Sequence, residues 1–239
     1  MDGPFAVSGR RGSVVAIHQP NFFPWLGYFD KIARSDVFVF LDSVQASKTG
    51  GSWLNRVKVA VNGDARWVTA PIDRSYHGVR LVREIDFGST LWRDQLLKTL
   101  ASSYGRAAFY GETMQLVQPL IQNPDNNLAR FNHFAIMSIV SALKLDTKQF
   151  VISSSLGLEG QNNDLLVAIT RAVGGDTYLC GGGAAEYFDE RPFTAAGLTV
   201  RYQNFAHPEY LPADRLIPGL SVLDAMMHCG PHGVARLLQ

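Results

Sequence analysis

The segment from residue 14 to residue 45 constrains the fold of this chain more than any other part of the sequence. Two short apolar runs, at residues 14–17 and 37–41, lie on either side of a helical pattern at residues 26–33. Short apolar runs that flank a helix are typical of a strand–helix–strand unit in a parallel sheet. The sequence therefore predicts an α/β fold whose core is a Rossmann-like parallel sheet.

Polar residues follow both of these predicted strands. His18 and Gln19 come directly after the first strand, and Asp42 and Gln45 come after the second. Because ligands bind outside the carboxyl ends of the strands in such sheets, we expect Gln19, Asp42 and Gln45 to bind substrate. We expect His18 to be catalytic, since a histidine titrates near neutral pH and can act as a general base or bind a phosphate. The alternative is that His18 only caps backbone groups of the loop.

A cluster of polar and basic side chains lies in the next loop and at the start of a predicted strand. Its members are Lys48, Asn55 and Arg56. Arginine can hold a phosphate or carboxylate through a bidentate fork, and lysine can do so as a point charge. We therefore expect these three residues to bind substrate, although a solvated loop beside an edge hairpin would explain them equally well.

A β-hairpin and a helical subregion are predicted in the middle of the chain. The hairpin strands lie at residues 57–61 and 66–71, around the strong turn signal Asn62-Gly63. Apolar residues then recur at helical spacing over about residues 90–145. We expect residues 14–239 to form a single domain that carries both features, after a flexible tail at residues 1–13.

Shorter elements complete the prediction. They are strands at residues 81–87, 150–152 and 177–179, a β element at 193–202, and helices at 162–173 and 220–230. The last helix begins with Ser221 as a helix N-cap, and Asp224 follows in a position that resembles a capping box. The sequence therefore gives Asp224 a local structural role.

A run of three glycines follows the predicted strand at residues 177–179. Successive glycines allow a ligand to approach the backbone closely and expose amide groups to an anion, although such a run is as often a flexible turn. Cys180 precedes the run and is the candidate nucleophile for an acyl group, whereas the alternative is a small buried residue. The candidate residues of this segment are catalytic Cys180 and substrate-binding Gly181, Gly182, Gly183 and Tyr187.

Composition and the absence of common signatures narrow the function further. The chain has 239 residues and a net charge of +1 without a basic block, which argues against non-specific binding of nucleic acid. It contains no apolar run of membrane-spanning length, and its two cysteines are compatible with a reducing cytoplasm, the compartment we expect. No metal-ligand spacing, Walker A pattern or GxGxxG occurs, so we expect no metal site.

The ordered motifs of the chain resemble those of WbqC-like proteins. They are IHQPNFFPWLGYFDKI, LDSVQASK, SWLNRVKV, WVTAPI, YLCGGGAAEYFDE and IPGLSVLDAMMHCG, which together extend over nearly the whole chain from residue 14 to about 230. The resemblance implies transfer of an acyl or aminoacyl group onto an amine, often that of an amino sugar, in polysaccharide or natural-product biosynthesis. Two positions depart from the family pattern, which usually has serine at Cys180 and commonly has histidine where this chain has Leu96.

A fainter similarity links the first strand and its loop to nucleotidyltransferases of the HIGH type. In those enzymes a glycine–histidine pair starts the helix that follows the proline-containing loop, and Gly27-Tyr28 stands at that place here. The replacement of a phosphate-binding histidine by tyrosine weakens an adenylylating function but leaves the fold open.

We expect a cytoplasmic transferase that moves an acyl or aminoacyl group from a thioester to a small amine such as an amino sugar. His18 would deprotonate the amine, the amides of residues 181–183 would stabilise the developing oxyanion, and Lys48 and Arg56 would hold phosphates. No firmly bound cofactor is expected, because coenzyme A or phosphopantetheine would enter as the donor. An acyl carrier protein is a candidate partner.

Two other functions compete with this one. The first is an ATP-dependent HIGH-type nucleotidyltransferase or ligase. The second is a non-catalytic protein that binds a carrier or a sugar nucleotide, with Phe22, Phe23 and Trp25 as its docking surface. The alternative, equally compatible with the sequence, is that these three aromatics belong to the core.

Overall fold

A five-stranded parallel sheet lies at the centre of the first of two compact units. The computed structural model describes residues 12–47, 52–145, 148–181 and 188–239. Of these, the first unit contains residues 12–18, 31–41, 148–181 and 188–205, and the second contains the others. The predicted tail lies outside the described residues except for residues 12 and 13.

The described residues of both units contain helices and strands. In chain order they are β1 (Val14–His18), α1 (Leu26–Ala33), β2 (Val37–Phe40), β3 (Arg56–Val61), β4 (Asp64–Thr69), α2 (Trp92–Tyr104), α3 (Tyr110–Ile121), α4 (Leu128–Ala142), β5 (Gln149–Ile152), α5 (Asn162–Ala172), β6 (Thr177–Cys180), α6 (Arg191–Ala195), β7 (Thr199–Tyr202) and α7 (Val222–Leu237).

The strands of the large sheet lie in the order β5-β2-β1-β6-β7, and every neighbouring pair is parallel. The three central strands are buried along almost their whole length, whereas the residues of the edge strands β5 and β7 are half-buried or exposed. Buried apolar strands of this kind belong to parallel sheets covered on both faces. The predicted α/β fold with a Rossmann-like sheet is confirmed.

The antiparallel hairpin of β3 and β4 belongs to the second unit and confirms the predicted insertion. Its turn residues Asn62 and Gly63 have φ angles of 52° and 84°. Two successive positive φ angles are what a two-residue type I′ turn requires, and asparagine and glycine adopt them most readily. The local sequence therefore determines both the turn and the register of the hairpin.

A cluster of aromatic rings forms the core of the second unit. Phe22 lies at its centre, with ring centroids 5.2 Å from Trp92, 6.0 Å from Phe131 and 4.9 Å from Phe23. Phe22 and Phe23 are fully buried, and Trp25 is half-buried. The docking surface that the sequence suggested for these aromatics is therefore wrong for both phenylalanines, because their rings fill the core.

Two predicted strands are only partly present. Residues 81–87 contain a 3-10 turn at Val82–Glu84 flanked by isolated bridges, because the amides of Val82 and Arg83 bond to the carbonyls of Val44 and Asp42. The β element at residues 193–202 is reduced to β7, because α6 occupies its first residues. Pro192 lies in the first turn of α6, where its missing N–H costs no helical hydrogen bond.

Helix α7 is longer than predicted and contains a kink. Ser221 accepts a hydrogen bond from the amide of Leu223, which confirms it as the N-cap. The helix bends at Gly230, whose φ of 70° is non-helical, and then continues from Pro231 to Leu237. A side chain at Gly230 would also clash with the Phe109 ring, which lies 2.7 Å from the position of an added Cβ.

Candidate functional site at the switch point of the sheet

The strand order defines one crevice in the first unit. The chain runs from β1 to β2 and later β5 on one side, and then adds β6 and β7 on the other side of β1. The direction of the winding therefore reverses between β1 and β6. In open parallel sheets of this type, ligands bind at that switch point, outside the carboxyl ends of the strands.

His18 and Gly181 lie at the carboxyl ends of the adjacent strands β1 and β6. Ala16 of β1 pairs with Leu179 of β6, and His18 and Gly181 are each two residues further along these parallel strands. His18 is the half-buried last residue of β1, and Gly181 directly follows the last residue of β6. The structure therefore places the histidine and the first glycine of the predicted site at the ends of neighbouring strands, although they are 163 residues apart in the sequence.

Cys180 lies beside this pair, but its thiol is poorly suited to nucleophilic attack. The residue is almost fully buried at the end of β6, and its thiol lies 3.7 Å from the Gly181 carbonyl oxygen. Burial raises the pKa of the Cys180 thiol, while the neighbouring Lys31 acts in the opposite direction. A buried thiol with a raised pKa contains less of the thiolate that nucleophilic attack needs.

Lys31 is the residue that the sequence analysis missed. It belongs to α1, is almost fully buried, and donates a 3.0 Å hydrogen bond from Nζ to the carbonyl of Ile17. Its Nζ also lies 5.9 Å from the centre of the Tyr178 ring. Burial lowers the pKa of Lys31 to about 8, and the nearby Cys180 opposes this effect. A signal was present in the sequence, because the short helix LGYFDKIA lies between two buried strands and leaves little surface for a charged side chain.

Three predicted substrate-binding residues belong to the second unit, where they lie in different surroundings. Asp42 is buried, Gln45 is exposed and Gln19 is half-buried. Asp42 interacts electrostatically with His133. Burial lowers the pKa of His133, and the charge of Asp42 offsets part of this effect. The backbone carbonyl of Gln19 accepts a 3.1 Å hydrogen bond from the hydroxyl of Tyr28. The pairing of Asp42 with His133 was not predicted, because the two residues are far apart in the sequence.

Asn55 is used for structure. Its side-chain amide donates a 2.9 Å hydrogen bond to the carbonyl of Ala70, and its oxygen accepts one from the amide of Ser52. The residue is buried, and it ties the loop before β3 to the residue that follows β4. These two bonds use one of the two N–H donors and one of the two oxygen lone pairs of the side chain, and its predicted binding role stays a prediction.

Arg56 lies in a cluster of aromatic rings and cations on the hairpin. Its guanidinium carbon is 4.0 Å from the centre of the Trp67 ring, and Nζ of Lys58 is 5.1 Å from the same ring. Trp53 completes the cluster, with its ring centroid 4.9 Å from that of Trp67. Stacking on an aromatic face leaves the guanidinium edge available for an anion. An open groove of about 680 Å³ lies beside the cluster and includes Trp67 and Thr99 in its lining.

Four predicted site residues lie outside the described residues: Lys48, Gly182, Gly183 and Tyr187. Within the described residues, no group of three histidine, cysteine, aspartate or glutamate side chains could hold a metal ion. None of the described helices has both the length and the apolar character needed to cross a membrane.

Comparison with known proteins identifies the family of the chain. The model of the WbqC-like protein family matches residues 19–236. A curated relative, the uncharacterized protein Rv1507c of Mycobacterium tuberculosis, is 28% identical over 221 residues, which are 90% of this chain and 94% of that protein. No solved structure matches the chain significantly. The match covers most of the length of the chain, so the chain belongs to the WbqC-like protein family.

Proposed function

We propose that this protein is a cytoplasmic transferase that forms an amide bond between an acyl or aminoacyl thioester and a small amine such as an amino sugar. The observation that supports it best is the placement of His18 and Gly181 at the ends of the two neighbouring strands that form the switch point of the parallel sheet. A base and a set of backbone amides at one crevice are the two parts that aminolysis of a thioester needs. The resemblance to WbqC-like proteins suggests the same activity.

The reaction is a direct displacement. The nitrogen of the acceptor amine attacks the carbonyl carbon of the thioester, so that a C–N bond forms and the C–S bond breaks. His18 takes a proton from the attacking nitrogen, and the departing thiolate of coenzyme A or of phosphopantetheine is protonated in turn. Backbone amides of the glycine run, beginning with Gly181, stabilise the negative oxygen of the tetrahedral intermediate, and each such donor contributes about 3 kcal/mol where it operates.

The burial of Cys180 favours direct attack over an acyl-enzyme intermediate. An acyl group on Sγ would need space that a residue with 1% exposure does not offer. The raised pKa of the thiol also leaves little thiolate at neutral pH. In this mechanism Cys180 therefore lines the crevice and carries no covalent intermediate.

Phosphates of the donor are the proposed ligands of Arg56, together with Lys48. Arg56 lies on the aromatic hairpin cluster, and within the described residues it forms no ion pair with a carboxylate. Coenzyme A or a nucleotide sugar would supply both a phosphate and an aromatic base for this surface, whereas the phosphopantetheine arm of a carrier protein would supply the phosphate alone. The donor thioester is thus a coenzyme A ester or an acyl carrier protein.

A nucleotide-activating enzyme of the HIGH type is the second candidate, because the switch point of such a sheet also binds nucleotides. The residue at the second position of the glycine–histidine pair argues against it. Tyr28 is fully buried, and its hydroxyl donates to the carbonyl of Gln19. Burial raises the pKa of Tyr28 well above its usual value, so the side chain is neutral and has no charge to offer a phosphate.

The proposed function is tested by measuring the release of free thiol from a panel of acyl-coenzyme A and acyl-phosphopantetheine thioesters in the presence of amino sugars. With a productive pair, His18→Ala should lower kcat at least 100-fold with little change in KM. His77→Ala, which removes an exposed histidine, should behave like the wild type. Cys180→Ser should retain activity, and intact-protein mass spectrometry should show no acyl adduct.

Two results would contradict the proposal. Wild-type turnover in His18→Ala would remove the histidine from the mechanism. Pyrophosphate release that requires ATP and a carboxylate, without consumption of a thioester, would instead favour the nucleotide-activating enzyme.

A further inference from the structure

A buried lysine lies at the point where the carboxyl ends of β1 and β6 meet. Nζ of Lys31 is 3.0 Å from the Ile17 carbonyl of β1 and 5.9 Å from the centre of the Tyr178 ring of β6. Lys31 is 3% exposed to solvent. The lysine therefore contacts both strands that form the switch point.

Among the described residues, few groups compensate the charge of this lysine. An ammonium has three N–H donors, and within the described residues one of them bonds to a protein acceptor, the Ile17 carbonyl. No described carboxylate forms an ion pair with it. Burying a charge that has no partner greatly lowers the stability of a protein. A purely structural role therefore does not explain a lysine in this place.

Among the described residues, the space beside Nζ at Gly181 is open. Gly181 lies over the end of the lysine side chain, and a Cβ built on this glycine would stand 4.0 Å from Nζ. Because Gly181 has no side chain, that space is left to a ligand that enters beside the glycine. Strand ends at a switch point are also where such sheets bind their ligands.

We propose that Lys31 is the anion-binding residue of the switch-point crevice and that it holds an oxyanion of the ligand, either a phosphate or a carboxylate. This assignment shares the crevice with the proposed transferase and in that respect rests on it. It is distinct in its chemistry, because it concerns a ground-state charge of the ligand and not the transfer of the acyl group.

The pH dependence of binding follows from the groups around Nζ. Tyr178 and Cys180 of β6 face it, His18 ends the neighbouring strand, and Asp30 precedes it in α1. The pKa values of Tyr178 and Cys180 are both raised by burial, so neither side chain carries much charge below pH 9. With a Lys31 pKa of about 8, the charged fraction falls roughly tenfold between pH 7 and pH 9, and the affinity for an anion should fall by the same factor.

The proposal is tested on the full-length protein with sulfate, which stands for a phosphate, and with acetate, which stands for a carboxylate. Both probes keep their charge between pH 7 and pH 9. The titration of Lys31 is followed through its 13Cε resonance in uniformly labelled protein, and Lys31→Met assigns that resonance. Binding of an anion to the charged lysine should raise the titration midpoint of Lys31 and leave that of the control residue Lys98 unchanged.

The variants make the expected result specific. Lys31→Met should weaken binding at least tenfold, Gly181→Ala should weaken it by partly filling the approach to Nζ, and Lys98→Met should have no effect. A response to sulfate alone assigns a phosphate, a response to acetate alone assigns a carboxylate, and a response to both supports a general oxyanion site.

An unchanged Lys31 midpoint with both probes, together with wild-type behaviour of Lys31→Met, would overturn the proposal and leave Lys31 as a structural link between α1 and β1. The readout is binding and not turnover. A failure here and a failure of the transferase assay are therefore separate results.

Discussion

The two units of this protein each bury a charged side chain, and they treat it in opposite ways. In the second unit, the two carboxylate oxygens of Asp224 accept hydrogen bonds from Tyr104 and Tyr210, at 2.7 and 2.6 Å. The hydroxyl of Tyr104 in turn accepts a hydrogen bond from the amide of Ala60. In the first unit, the ammonium of Lys31 has one protein acceptor for three donors within the described residues.

This difference separates a structural charge from a functional one. A buried charge whose hydrogen bonds are all made stabilises one arrangement of the chain, and the Asp224 network joins α2, β3 and α7 in this way. A buried charge with unused donors costs stability and is kept for another reason, commonly a ligand or a reaction. The second unit therefore uses its charge for folding, while the first holds its charge at the switch point for a ligand.

The largest effect is expected from removal of the compensated charge. Asp224→Ala leaves the buried hydroxyl of Tyr104 and the half-buried hydroxyl of Tyr210 without an acceptor and creates a cavity, so it should lower the free energy of unfolding by about 4 kcal/mol. All four tryptophans belong to the second unit, and denaturant unfolding followed by their fluorescence reports on this change.

Two further variants control this measurement. Asp224→Asn keeps the shape and one acceptor and should lose about half as much. Asp214→Ala removes an exposed carboxylate and should change the free energy by less than about 0.5 kcal/mol. Equal stability of Asp224→Ala and the wild type would show that the tyrosines do not depend on this aspartate.

The elements that the sequence predicted well are those determined by neighbouring residues. The hairpin follows from Asn62-Gly63, and the helix at residues 26–33 has the predicted bounds, because turn chemistry and periodicity act over a few residues. Residues 81–87 were predicted as a strand because their apolar pattern is compatible with one. Long-range hydrogen bonds to the loop at residues 42–44 favour a 3-10 turn instead.

The candidate site shows the same limit. The general rule for parallel sheets was enough to place His18 and the glycine run at strand ends, whereas their adjacency depends on β6 lying beside β1, which only the structure reveals. The tyrosine partners of Asp224 could not be predicted either, since Tyr104 is 120 residues away. Local sequence had instead assigned Asp224 to a capping box.

The second prediction concerns Lys31, whose replacement should raise the free energy of unfolding, whereas the replacement of Asp224 lowers it. The folded protein lowers the pKa of Lys31 from 10.5 to about 8, which corresponds to about 3 kcal/mol of lost stability at neutral pH. Lys31→Met removes this cost but also the hydrogen bond to Ile17, which offsets about 1 kcal/mol. The variant should therefore be more stable than the wild type at pH 7 by about 2 kcal/mol.

The pH dependence of that gain identifies its cause. Between pH 8 and pH 10.5 the unfolded wild type binds more protons than the folded one, so the stability of the wild type rises over this range. The advantage of Lys31→Met should shrink over the same range. Hydrogen exchange of the β1 and β6 amides measures this difference in stability within the first unit. A loss of protection at pH 7 in the variant would show that Lys31 is stabilising.

The smallest effect is expected when one hydrogen bond of the compensated network is removed. Among the described residues, Tyr210→Phe leaves the Asp224 carboxylate with the single tyrosine partner Tyr104 and should lower the free energy of unfolding by about 1.5 kcal/mol at pH 7.

Burial, followed by the negative charge of Asp224, raises the pKa of Tyr210 above its usual value of 10.0. The folded protein therefore keeps the Tyr210 proton at a pH where the unfolded chain loses it, so the stability that this tyrosine contributes is complete below pH 10 and is lost as the pH rises further. Tyr210→Phe should consequently lose stability less steeply than the wild type above pH 10, whereas Tyr202→Phe, which removes a hydroxyl bonded to the exposed Glu190, should leave the tryptophan-monitored transition unchanged. Parallel stability curves for Tyr210→Phe and the wild type above pH 10 would mean that the hydroxyl of Tyr210 titrates alike in both states, and the contrast between the two buried charges would then rest on Tyr104 alone.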